Sequence, residues 1–109
     1  MMPVAYLLQR GTAMLMVPLI ITHLAVIIMA VQGGLSGEEI LGRTRDNGAW
    51  AAFYATFVLA ASIHAGIGIQ TVLREWTPLG RFGSALAGHT FMVVLLGLGL
   101  RAVAGVYGI

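Results

Sequence analysis

The chain has 109 residues, 59% of them hydrophobic and 9% charged, with a formal net charge of +2 carried entirely by arginine. That is too little polar surface to cover a water-soluble globule, so the composition predicts an all-α integral membrane protein. With no cysteine, disulfides, thiolate-bound iron–sulfur clusters and cysteine-ligated zinc are excluded, and the scattered arginines form no basic cluster for DNA or RNA.

The first predicted span runs from Gly11 to Val31, about the 20 apolar residues that a helix needs to cross a hydrocarbon core roughly 30 Å thick. The stretch before it, Met1 to Leu8, is uncharged and lacks the basic start of a cleavable signal peptide, so the first span is read as retained. Pro18 lies inside it, where the missing backbone donor predicts a kink that neighbouring helices satisfy.

Residues Gln32 to Ala49 hold Gly33, Gly34, Gly37, Gly42 and Gly48 with half of the charges, which is loop chemistry, with a short amphipathic turn around Glu38 to Leu41. The second span is predicted from Trp50 to Leu73. Its connection to the third, Arg74 to Arg81 with Pro78 and Gly80, is short enough to make spans two and three antiparallel neighbours. The third span runs from Phe82 to Val103, and Gly97, Gly99, Gly105 and Gly108 in and just beyond it predict close contact with other helices. Residues 1–109 are read as one domain.

Counting arginines gives Arg10, Arg74 and Arg81 on one side of the membrane and Arg43, Arg45 and Arg101 on the other. Glu38, Glu39 and Asp46 share the second side, which places the N-terminus in the cytosol and the C-terminus outside.

Each span carries one histidine. An ionisable residue in a span is costly and marks a functional site by default, and imidazole is also an axial haem ligand. The neighbours of His64 one turn away, Ala60 and Gly68, are small, and such a flat surface suits the edge of a porphyrin as well as plain helix packing. His64 is placed about 15 Å in from Arg74, His23 about 20 Å in from Arg10 and His89 about 12 Å in from Arg81, so His23 and His64 are only modestly offset in depth. The bulky Leu19 and Ile27 beside His23 favour ordinary packing there.

The segment from Ser62 to Trp76, with His64, Gly68, Ile69, Glu75 and Trp76 at its key positions, resembles the second-helix signature of the cytochrome b membrane anchors of succinate dehydrogenase and fumarate reductase, respiratory complex II. Gln9-Arg10-Gly11-Thr12-Ala13 looks like the Arg-x-Thr-Ala start of the smaller anchor, so the likeness covers all three spans. It implies a multi-pass anchor in the inner (cytoplasmic) membrane, partnered by a flavoprotein subunit, an iron–sulfur subunit and a second membrane anchor, different or identical. By the same resemblance His64 is an axial ligand of haem b and Arg10 pairs with a haem propionate or approaches the quinone. Glu75 and Trp76 stand in the quinone pocket where the family usually has aspartate and tyrosine. His23 matches the first-helix ligand of two-haem members and is the candidate for a second haem, while His89 is expected to hydrogen-bond a propionate, water or a neighbouring carbonyl.

The chain has no Ser–His–Asp set, metalloprotease signature or phosphate loop, so a self-contained enzyme is not expected. Two other readings stay open: a small transporter or channel subunit using histidines as a relay, and a structural anchor without cofactor.

Overall fold

The computed structural model describes residues 3–109. They form α1 (Pro3–Gly33), α2 (Gly37–Thr44), α3 (Gly48–Trp76) and α4 (Gly80–Tyr107), with no strand among the described residues. The three long helices are apolar and long enough to cross a membrane. Each extends past its hydropathic core, because a helix continues through the headgroup region where arginine, glutamate and tryptophan are at home. The largest extension is at the start of α1, which begins eight residues or so before the predicted span, so Arg10 lies within the helix rather than at its end. Pro18 does not break α1; the Thr22 hydroxyl donates to the Pro18 carbonyl at 2.8 Å.

The central element is α3. It packs along α4 and, on another side, against α1, whereas α1 and α4 scarcely meet. The α3 and α4 backbones approach closely where Gly66 faces Gly88: a β-carbon on Gly88 would lie 2.6 Å from the Gly66 carbonyl oxygen, and one on Gly66 would lie 2.8 Å from Met92 Cβ. Ser84 and Gly88 of α4 and Ala60, Ser62 and Gly66 of α3 are the buried residues of these helices, so small side chains make this core. Of the glycines expected to allow close contact, Gly99 does so against Val58, while Gly97 and Gly105 face open space or a long side chain of their own helix. Hydropathy fixes how many glycines a span has; which face meets a neighbour depends on helix rotation.

The turn expected around Glu38 to Leu41 is the eight-residue helix α2. Ser36 caps it, accepting from the Glu39 backbone amide at 3.1 Å and donating to the Glu39 carboxylate at 2.7 Å, an arrangement that stabilises a helix start by about 1 kcal/mol. The buried Thr44 donates its hydroxyl to the Val106 carbonyl at 2.6 Å and the Asp46 amide donates to the Tyr107 carbonyl at 3.0 Å. These bonds fasten α2 to the end of α4. At the opposite end, Thr77 to Leu79 join α3 to α4 in a three-residue corner, with Gly80 at φ +75°.

Candidate functional site around His64

His64 is half-buried on the side of α3 that meets α1, and its Nδ1 lies 3.3 Å from Thr12 Oγ1. The Thr12 hydroxyl lies 2.7 Å from the Leu8 carbonyl and 3.2 Å from that of Gln9. A hydroxyl has one proton, and here the shortest bond directs it into α1, so the oxygen meets His64 as an acceptor. Nδ1 then carries the ring proton and Nε2 is left with a free lone pair, which is the form of neutral histidine that coordinates a metal. The donor chemistry at His64 therefore fits an axial position on haem iron.

Of the two uses expected for the small residues around His64, the contacts show helix packing. Ala60 is 3% exposed, and a β-carbon on Gly68 would lie 3.4 Å from Gln9 Nε2. At Gly68 this face carries α1. The Gln9 side-chain amide oxygen, Oε1, is buried without a partner among the described residues. Gln9 and Thr12 are the site residues that reading the sequence did not single out, although both stand in the stretch Gln9 to Ala13. The available signal was the glutamine in an apolar helix, since its side-chain amide needs a partner that lipid cannot offer.

The contacts of Gln9 and Thr12 also set the register of α1 on α3. With Thr12 beside His64, the 11 residues to His23 separate the two histidines by about 16 Å along α1. The modest offset expected from counting inward from Arg10 and Arg74 is thus corrected; those two arginines do not mark one level. Arg10 is exposed, its guanidinium stacked over the Tyr6 ring at 5.4 Å, and it lies within about one turn of the His64 level. Glu75 and Trp76 are the exposed last residues of α3, with Trp76 81% exposed. They stand about 10 Å beyond Gly68 toward the α3–α4 corner, so the helices do not bring Arg10 together with Glu75 and Trp76.

His23 packs edge-to-face on Tyr54 at 5.9 Å and Phe57 at 5.4 Å, ring centroid to ring centroid. It borders an apolar crevice of about 280 Å³ shared with Val58, Gly99 and Val103. His89 is exposed on α4, its Nδ1 2.6 Å from the Ala85 carbonyl, to which it donates, one turn back on its own helix. Measured from the Gly66–Gly88 contact, His64 and His89 lie at nearly one depth, about 3 and 1.5 Å to the same side. Among the described residues, no three His, Cys, Asp or Glu side chains gather into a metal-binding group.

Residues 3–100 match the family model for the succinate dehydrogenase/fumarate reductase transmembrane subunit. The chain is 31% identical over 94 residues to the succinate dehydrogenase hydrophobic membrane anchor subunit of Archaeoglobus fulgidus, covering 86% of this chain and 80% of that one. No solved structure matches. With three apolar helices, a match across nearly the whole length and this relative, the chain belongs to the succinate dehydrogenase/fumarate reductase transmembrane subunit family, the membrane anchors of complex II.

Proposed function

We propose that this chain is an electron-transferring membrane anchor of a complex II-type succinate:quinone oxidoreductase or quinol:fumarate reductase, and that His64 Nε2 is an axial ligand of haem b. The observation that carries this reading is the Thr12–His64 hydrogen bond, which leaves Nε2 unprotonated inside a membrane-spanning helix. His89 Nε2 is equally unprotonated but lies on α4, its ring held to the Ala85 carbonyl of its own helix, and in this reading the second axial ligand comes from a partner anchor, either a different chain or a second copy. When bound, haem supplies a one-electron store between the soluble subunits and quinone.

Arg10, an exposed cation near the His64 level whose guanidinium rests over the Tyr6 ring, pairs with a haem propionate, since a cation in that setting favours an anion from outside the chain. Glu75 and Trp76, exposed at the end of α3, serve the quinone end, the glutamate as a proton carrier and the indole nitrogen as a hydrogen-bond donor. In this reading the N-terminus and the α3–α4 corner face the cytosol, where the flavoprotein and iron–sulfur subunits dock, and the chain resides in the inner membrane. The arginines divide three and three between the two ends, so this orientation rests on Glu38, Glu39 and Asp46 lying together at the opposite end.

The transporter reading has less support. Thr22 and Thr56 turn their hydroxyls onto Pro18 and Ala52 of their own helices, so they do not line a polar path. The test is His64→Leu in the assembled complex, read by pyridine haemochrome. Loss of haem with the complex intact is expected; a full complement of haem would overturn the ligand assignment, and a complex that never contained haem would point to a cofactor-free anchor.

A further inference from the structure

We infer that Thr12 is a positioning residue for the iron ligand: its hydroxyl links the α1 backbone to the His64 ring and sets the tautomer, rotation and basicity of the coordinating imidazole. The inference rests on the haem reading of His64 and adds a role for a side chain outside the coordination shell.

Three observations carry it. The hydroxyl is only 2.7 Å from the Leu8 carbonyl and 3.2 Å from the Gln9 carbonyl, so its proton is committed to α1 and its lone pairs face the ring. The ring nitrogen, at 3.3 Å, is on a different helix, 52 residues away, so the bond is also a tie between α1 and α3. Thr12 is 8% exposed, the most buried residue of its helix, so no water stands ready to replace the oxygen if it is removed.

The consequences follow from imidazole chemistry. A neutral imidazole has one proton for two nitrogens, and an acceptor at Nδ1 draws the proton there and frees Nε2. That acceptor also fixes the rotation of the ring about the Cβ–Cγ bond, which sets how the ring plane meets the iron. A hydroxyl that already donates to a carbonyl is polarised into a better acceptor, and the added electron density passes to Nε2. Unlike a carboxylate, it remains neutral, so the ring does not acquire imidazolate character. The ligand strength is therefore set by a backbone carbonyl of α1 two bonds removed, and anything that slides α1 along α3 weakens the ligand.

The test compares Thr12→Val, Thr12→Ala and Thr12→Ser, with His64→Leu alongside, in the chain purified with the proteins that assemble with it. Haem transfer to excess apomyoglobin reads the affinity, and low-temperature electron paramagnetic resonance of the ferric form reads the ring orientation. Thr12→Val and Thr12→Ala are expected to lower haem affinity by about 10- to 100-fold and to alter the g anisotropy, while Thr12→Ser stays near the parent on both. Two outcomes overturn the inference while leaving the haem reading intact: parent-like affinity and spectrum in both Val and Ala variants, or a Ser variant as defective as they are, which would assign the effect to the methyl group. Retention of haem by His64→Leu instead overturns the haem reading itself. Thr12→Ala, which only removes atoms, keeps the comparison open should Thr12→Val fail to assemble.

Discussion

Gly88 of α4 meets Gly66 of α3 so closely that a single methyl group on Gly88 would stand 2.6 Å from the Gly66 carbonyl oxygen and 2.9 Å from Gln70 Cβ. Two rigid backbones cannot yield as a flexible side chain would. Gly88→Val is therefore expected to push α4 off α3, at a cost above the roughly 1–3 kcal/mol of ordinary overpacking, and to abolish assembly. Gly97→Ala, on a glycine with nothing within 4 Å of the added carbon, leaves this chain's own packing unchanged. Yield of the intact chain after size-exclusion in detergent separates the two; equal yields would show that the crossing is not built on glycine.

His23 gives the second prediction. Its ring is wedged against Tyr54 and Phe57, contacts of a kind worth about 0.5–1.5 kcal/mol each. His23→Leu is expected to leave haem per complex unchanged and to lower thermal stability slightly. A halved haem content would instead assign this ring to a second iron, about 16 Å along α1 from the Thr12 level.

A third prediction separates the two ends of the proposed electron path. Arg10→Gln removes a positive charge near the His64 level, and positive charge favours the reduced haem, so the midpoint potential falls while quinone affinity is little altered. Trp76→Leu acts about 10 Å away and shows the reverse pattern: a raised apparent KM for quinone with the haem potential unmoved. Redox titration together with quinone kinetics on both variants provides the check, and a shared phenotype would mean that the two residues serve one site.

The three spans were legible because lipid imposes a simple demand, about 20 apolar residues each, and Gly11, Trp50 and Phe82 open such stretches. Contacts between spans were not. Nothing in the string of residues says that Thr12 stands beside His64, since every threonine in a helix has a carbonyl of its own to bond, as Thr22 and Thr56 do. Depths counted from Arg10 and Arg74 failed for a related reason: an arginine side chain reaches several ångströms toward the interface, so its Cα does not mark the membrane boundary. The motif singles out His64 as a candidate, whereas its contact Thr12 lies on a different helix, 52 residues away.

At the other end of the molecule, Thr44→Val removes the hydroxyl that satisfies the Val106 carbonyl while nearly preserving shape. Leaving a buried acceptor unpaired costs about 1–3 kcal/mol, so amide exchange at Asp46, whose N–H bonds Tyr107, is expected to accelerate by about 5- to 150-fold. Unchanged protection would show that α2 is held by other contacts.

That fastening has a consequence for how the chain is made. Thr44 emerges 62 residues before the carbonyl it needs, and α2 has no lock until the final turn of α4 has arrived beside it. A nascent chain that stalls, or loses its tail to a protease, is left with a loose surface flap at the aqueous boundary. Closure of that flap thus reports that α4 has gone all the way through.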